Sequence, residues 1–122
     1  MNLYLSAQVG DHQSVWELDK PVMRIGRSSR TAIPIADPTV SKDHAEISRS
    51  AAGYAIVDLG SRNGTRVNGV DAREATPIRA GDLIEIGHVS VRVTAEPPGP
   101  VLRLNEATVM GSSLRLNIAD ML

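Results

Sequence analysis

The stretch Tyr54-Ala55-Ile56-Val57-Asp58-Leu59-Gly60-Ser61-Arg62-Asn63-Gly64-Thr65-Arg66-Val67-Asn68-Gly69 decides how this chain folds. Tyr54 to Asp58 is a short run rich in aromatic and β-branched residues, the composition of a strand. It runs into Gly60-Ser61-Arg62-Asn63-Gly64, a cluster of turn formers that no helix or ladder would carry through. Thr65 to Val67 reads as a second strand. Asn68-Gly69 then gives the strongest short-range hairpin signal, because a type I′ turn needs positive φ at both central residues and Asn and Gly tolerate it best.

The same grammar extends in both directions. Apolar residues recur mostly at period two, in short runs broken by turn residues at close spacing, which is the signature of an all-β sandwich or barrel. Strands are expected over Asn2 to Val9, Ser14 to Leu18, Val22 to Ile25, Ile33 to Ile35, Ala45 to Ser50, Thr76 to Ile78, Asp82 to Ile86 and Val89 to Thr94, besides the two already placed. No segment before residue 100 has a convincing helical period. At Glu96-Pro97-Pro98-Gly99-Pro100 three prolines and a glycine end any ladder and favour an extended spacer, so the reading is a domain over 1–95, a Pro-rich linker over 96–100 and a tail over 101–122. The tail is too short to own a core. It repeats itself in Leu102-Arg103-Leu104-Asn105 and Leu114-Arg115-Leu116-Asn117, and Asn117 to Leu122 looks like an N-cap and a first helical turn, so it is expected to lead toward a further domain absent from this chain.

Composition removes several classes of function. The chain has 122 residues, enough for one core but not two. Its 13 Lys+Arg against 14 Asp+Glu leave a net charge of -1, which argues against bulk nucleic-acid binding. Any anionic ligand must be read by a local patch. With no cysteine there is no disulfide, thiolate nucleophile or cysteine-ligated zinc. No apolar run approaches the roughly 20 residues of a membrane helix and no secretory leader pattern opens the chain, so a cytoplasmic location without membrane association is expected. Tyr4, Trp16 and Tyr54 are the only aromatics. The core must be Val, Ile, Leu and Ala, and base stacking is a poor option because no ring lies in the turn clusters.

Three loop clusters carry chemistry: Gly26-Arg27-Ser28-Ser29-Arg30, Ser41-Lys42-Asp43-His44 and Ser61-Arg62-Asn63-Gly64-Thr65. Arg27 offers a planar fork able to hold two oxyanion oxygens, and Gly26 lets the backbone approach closely. Ser41 adds a hydroxyl donor, Lys42 a mobile charge and Asn63 an amide that donates and accepts at once. Together they suit a phosphate monoester next to a peptide main chain. Ser41 with His44 also has the residue types of a hydrolytic dyad, but no nucleophile elbow surrounds them, and no catalytic residue is assigned. His12 and His88 lack ligand partners at metal spacing, and neither a Walker loop nor a GxGxxG follows a strand. No metal or cofactor is expected.

The order and spacing of these clusters resemble the forkhead-associated (FHA) domain: Gly-Arg after a strand, Ser-x-x-His some fifteen residues later, then Asn-Gly beyond a hairpin. Here they are Gly26-Arg27, Ser41-Lys42-Asp43-His44 and Asn63-Gly64, with Val67-Asn68-Gly69 as a frequent companion. The resemblance spans about Asn2 to Thr94. It implies a β-sandwich of about eleven strands whose loops at one end bind phosphothreonine peptides, with both termini at the other end. By that resemblance Arg27 and Ser41 grip the phosphate, Lys42 and Arg62 add donors, and Asn63 holds the peptide main chain. Gly26, His44 and Gly64 shape the loops. A niche for the threonine methyl would favour threonine over serine. The residue three places after the phosphothreonine would meet the loop around Arg62, whose charge leans toward an acidic or polar partner.

The expected function is therefore a non-catalytic interaction module in serine/threonine-kinase signalling, whose partner is a kinase or a kinase substrate. Two rivals stand beside it: an FHA-like module reading an unphosphorylated partner surface as an assembly component, and a small hydrolase built on Ser41 and His44. In the tail, Thr108 within Asn105-Glu106-Ala107-Thr108-Val109-Met110 is a candidate phosphorylation site. Once phosphorylated it would dock on the pocket of a neighbouring copy and drive self-association.

Overall fold

In the computed structural model, which describes residues 2–97, the alternation read in the sequence becomes two facing ladders. Eleven strands form in chain order: β1 (Tyr4–Val9), β2 (His12–Glu17), β3 (Val22–Gly26), β4 (Ile33–Pro34), β5 (Ala45–Ser50), β6 (Gly53–Asp58), β7 (Thr65–Val67), β8 (Val70–Asp71), β9 (Thr76–Ile78), β10 (Leu83–Ile86) and β11 (Val89–Thr94). A six-stranded sheet has the order β2-β1-β11-β10-β7-β8, and a five-stranded sheet the order β4-β3-β5-β6-β9. No helix occurs among the described residues. The tail over 101–122, with Thr108, lies outside the described residues, as does 98–100 of the Pro-rich linker.

The register explains the pattern. Leu5 opposes Val93 and Ala7 opposes Val91, while Ile84 opposes both Val91 and Val67. Residues two apart on a strand share a face, so these side chains form one buried surface. From the other sheet Met23 opposes Ile47, Ile47 opposes Ile56, and Ile25 opposes Ala45. The core is aliphatic, as the scarcity of aromatics requires, and Trp16 and Tyr54 only pack against its margin.

All but one of the strands were placed by pattern, with ends shifted by up to two residues. The exception is β8. Two residues are too few to display a period, yet Asn68 (φ 51) and Gly69 (φ 85) turn the chain back and pair Val70 with Val67. The hairpin signal is thus real and its outgoing arm minimal. Tyr4 pairs with Thr94, and Thr65 pairs with Ile86 just before the Gly87-His88 turn. The sandwich therefore begins and ends at one pole, and the loops after β3, β4 and β6 meet at the other.

Candidate functional site

β3 and β4 run parallel, with Gly26 opposite Pro34, so the chain must loop over residues 27–32 at the sandwich end. The next loop, from Ile35 to His44, packs directly on Gly26. A Cβ on Gly26 would overlap the Lys42 carbonyl and crowd the Thr31 methyl, so only glycine permits this approach. The two loops are zipped by their backbones. Arg27 N–H donates to the Ser41 carbonyl (2.9 Å) and Ser28 N–H to the Lys42 carbonyl (3.4 Å). Ile35 and Val40 are buried, pinning the second loop at both sides of its bend.

That bend is an Asx-type turn, in which a short carboxylate bonds the backbone two residues on. Asp37 Oδ1 accepts from the Thr39 hydroxyl (2.6 Å) and the Thr39 N–H (2.8 Å). These two bonds, with a smaller contribution from the nearby His88, outweigh burial and hold the Asp37 carboxyl below the usual carboxylate range. Thr39 then serves two neighbours: its carbonyl accepts from Asn63 Nδ2 (2.8 Å) and its hydroxyl oxygen from His88 N–H (3.0 Å).

The third loop is organised by Asp58 at the end of β6. Partial burial works against its charge. The Ser61 and Thr65 hydroxyls and the Ser61 and Gly60 amides all donate to it, however, and together they hold its carboxyl below the usual range. Ser61 Oγ in turn accepts from Gly64 N–H (2.9 Å). The loop carrying Arg62 and Asn63 is therefore shaped from beneath by a carboxylate.

His44 joins the second and third loops. It is fully buried, its Nδ1 accepts from Ser41 N–H (3.0 Å), and its Nε2 lies 2.7 Å from the Gly64 carbonyl. A nitrogen that accepts from an amide carries no proton, so the ring is the Nε2–H tautomer and donates to Gly64. Asp58 Oδ1 is 3.9 Å from Nε2, too far to compete for that proton. This geometry bears directly on the hydrolase reading. Both ring nitrogens are taken by backbone groups, and Ser41 Oγ accepts from Arg62 N–H (3.1 Å) rather than facing the imidazole. The ring has no free nitrogen to take a proton from Ser41.

Above this scaffold the charged side chains point outward. One Arg27 nitrogen, Nη1, donates to the Val40 carbonyl (2.9 Å). Among the described residues its other side-chain donors have no acceptor, and neither Arg27, Lys42 nor Arg62 forms an ion pair. Nearby Asp43 is engaged by Arg24 (3.6 Å). The structure thus brings Arg27, Ser41, Lys42, Arg62 and Asn63 to one end, with Gly26, His44 and Gly64 beneath them. Arg62 reaches Ser41 through its backbone, while its side chain lines a cavity toward β7.

Sequence reasoning gave no supporting role to Asp58 or Thr39, and it marked Thr65 and the Gly87-His88 turn without seeing what they bond to. Asp58 and Asp37 do carry a local signal, an Asp followed two or three residues on by a hydroxyl residue. The Gly87-His88 turn carries none, because its contact with Thr39 spans 49 residues. Among the described residues no group of three or more His, Cys, Asp or Glu able to hold a metal ion occurs, and there is no helix long and apolar enough to cross a membrane.

Comparisons with known proteins agree with this geometry. Residues 23–87, more than half the chain, match the profile of the FHA domain. The chain is 39% identical over 80 residues to the oxoglutarate dehydrogenase inhibitor of Corynebacterium glutamicum, covering 66% of this chain and 55% of that protein. It is also 39% identical over 70 residues to the glycogen accumulation regulator GarA of Mycolicibacterium smegmatis, covering 57% and 44%. It spans about half the length of these relatives. A solved FHA domain studied for its phosphothreonine-dependent interactions superposes with a TM-score of 0.70 at 28% identity, over 80% of this chain and all of that one. Two stacked sheets, Gly26-Arg27, Ser41 to His44 and Asn63-Gly64 gathered at one end, and the profile match together place this chain in the FHA-domain family of phosphothreonine-binding modules.

Proposed function

We propose that this domain recruits a partner protein marked by a serine/threonine kinase, binding its phosphothreonine between the β3–β4, β4–β5 and β6–β7 loops, and that it performs no chemistry itself. The observation that carries this reading is the set of unpaired donors on a fixed frame. Arg27 is anchored through Nη1 with its remaining fork open, the Ser41 hydroxyl has a proton to give, and Lys42 stands without a carboxylate. A phosphate with about -1.5 to -2 charges satisfies all three. Asn63, held by Thr39 through its Nδ2, keeps its carbonyl oxygen for a peptide N–H. Gly26, His44 and Gly64 keep the loops in place.

The test is a calorimetric titration with one threonine peptide in phosphorylated, unmodified and phosphoserine forms. Binding is expected to require the phosphate, with the phosphothreonine form tightest, phosphoserine weaker because a methyl in a fitted niche is worth about 1 to 3 kcal/mol, and the unmodified peptide silent. Equal binding of the phosphorylated and unmodified forms would overturn the reading. A second reading is favoured by the relatives, one of which is named for inhibiting an enzyme. On it, the same loop end docks on an unphosphorylated surface of a regulated partner.

A further inference from the structure

We infer that β2 is a docking edge for a second copy of this chain, so that two sandwiches join into one continuous sheet through antiparallel β2 strands. The inference goes beyond the phosphothreonine reading and does not depend on it. The edges of the two sheets are β2, β8, β4 and β9. An open edge offers unpaired backbone groups to any strand, and proteins commonly guard it by shortness, proline or lysine. All but β2 are guarded so: β4 has 2 residues and ends in Pro34, β8 has 2, and β9 has 3 with Pro77 at its centre. β2 has 6 residues, His12-Gln13-Ser14-Val15-Trp16-Glu17, with no proline and no lysine. It pairs with β1 without a bulge, from Val9 opposite His12 to Tyr4 opposite Glu17, so its outer side is an unbroken ladder edge.

The register of such a pair follows from which groups face outward. Leu18 N–H donates to the Leu3 carbonyl (2.8 Å), and the facing alternates along an antiparallel strand. Trp16, Ser14 and His12 therefore bond β1, while Gln13, Val15 and Glu17 turn their N–H and C=O groups away from it. No loop of the described residues bonds those groups. A two-fold pair in one sheet must oppose outward residues to outward residues, which excludes every register that sets odd positions against even ones. Centred on Val15, the pair opposes Val15 to its own copy and Gln13 to Glu17 of the second copy, so each uses both backbone groups. Centring on Ser14 or on Trp16 instead leaves Glu17 or Gln13 with no strand opposite. The side chains fit the same register. Val15 is an apolar residue 43% exposed on the outer face, and it meets its copy. Beside it the Gln13 amide meets Glu17, whose Oε2 accepts from Asn2 Nδ2 (2.9 Å), leaving Oε1 for the contact. On the inner face small Ser14 meets the half-buried Trp16 ring. The β1–β2 turn, Gly10-Asp11, shares a cavity with Arg27, so antiparallel β2 strands point the two Arg27 poles in opposite directions and leave both open.

The experiment uses the full chain, unphosphorylated, so that no phosphothreonine contact contributes. A single strand edge makes a weak interface, since stable ones take about 20–30 residues a side, and sedimentation should show association with a Kd of about 0.1–1 mM. Val15→Lys sets two ammonium groups against each other across the axis at an exposed position, and it should sediment as a single chain throughout while melting like the parent. Because the chain has no cysteine, Val15→Cys carries one thiol. Across a hydrogen-bonded antiparallel pair the Cα atoms are about 5.5 Å apart, within disulfide reach. In oxidised glutathione Val15→Cys should form a disulfide-linked dimer at least about ten-fold faster than Gln13→Cys, whose thiols lie more than about 13 Å apart in this register. A parent that sediments as one chain at about 1 mM, association unchanged in Val15→Lys, or equal crosslinking of the two cysteine variants overturns the inference, and each leaves the phosphothreonine reading untouched.

Discussion

The two poles of this sandwich are closed in different ways. At the pole where the sheet begins and ends, the chain turns through Ala51-Ala52 and Ala80-Gly81, and the exposed side chains themselves do the bonding. Arg49 donates to Asn2 (2.8 Å) and lies over the Tyr54 ring (5.7 Å to its centroid), and the Tyr54 hydroxyl donates to the Leu18 carbonyl (3.4 Å). Its charges are engaged or scattered in solvent. At the opposite pole the polar groups that do the bonding sit underneath. Asp58 and Asp37 bond hydroxyls and amides of their own turns, and His44 and Thr39 tie those turns to loops distant in sequence, while Arg27, Lys42 and Arg62 are left open above them. Buried polar groups fully satisfied by backbone make long loops rigid. Rigid loops let cations be held near one another without carboxylates to neutralise them, a preorganised arrangement that spares a ligand the cost of ordering its site. A net charge of -1 for the chain therefore conceals one positive pole.

The largest effect should come from removing a charge at one pole only. Arg27→Ala should weaken phosphothreonine-peptide binding at least about a hundred-fold, since hydrogen bonds to charged groups are each worth about 1.5–3 kcal/mol. Stability should move by no more than about 1.5 kcal/mol, because Arg27 is exposed and gives up one hydrogen bond, to the Val40 carbonyl. Arg49→Ala, at the other pole, should leave affinity within about two-fold. Similar losses from both substitutions, measured by calorimetry, would erase the distinction between the poles.

Second, His44→Ala should cost about 3 kcal/mol in denaturant unfolding, because it opens a cavity and strands the Ser41 amide and the Gly64 carbonyl. Its ranking is the reverse of Arg27→Ala: a large change in stability, with binding lost only as the loops loosen. Third, Gly26→Ala should cost about 2 kcal/mol by forcing the Lys42 carbonyl away, and the displaced loop should weaken binding too. If Gly26→Ala melts and binds like the parent, the close approach of the two loops is not needed for the site.

The smallest effect is set by pH. Asp58 and Asp37 both have carboxyls held below their unfolded value. A depressed carboxylate contributes stability that is fully present above its unfolded pKa, near 3.9, and is lost as pH falls through the folded value. Acid unfolding should therefore begin below about pH 4, and Asp58→Asn should flatten that limb without moving the curve's shape above it. An unchanged acid limb in Asp58→Asn would show that this carboxylate does not hold the loop.

How much of this was legible follows from what each feature needs. Val89–Thr94 was readable because its six residues display period two against a solvated face, and Ala45–Ser50 because Ala45 and Ile47 alternate with polar residues before a turn. Val70–Asp71 was not, being shorter than one full alternation. The outward donors Arg27, Ser41, Lys42 and Asn63 were visible as residue types in turn clusters, and their gathering followed only from the family resemblance. The foundations were harder to see. Asp58 closes an otherwise apolar run and looks like a strand's solvent-facing end, but its neighbour across the ladder is buried Ala45, so its carboxylate faces inward beneath the loop.

The central claim is that one pole binds and the other only closes the fold. Amide chemical shifts followed by NMR during titration with a phosphothreonine peptide test it most directly. The account predicts perturbation of the Arg27, Ser28, Ser41, Lys42, Arg62 and Asn63 amides, with Ala52, Ala80 and Gly81 unmoved. Shifts concentrated at Ala52, Ala80 and Gly81 or on a sheet face, with the loop amides still, would contradict it.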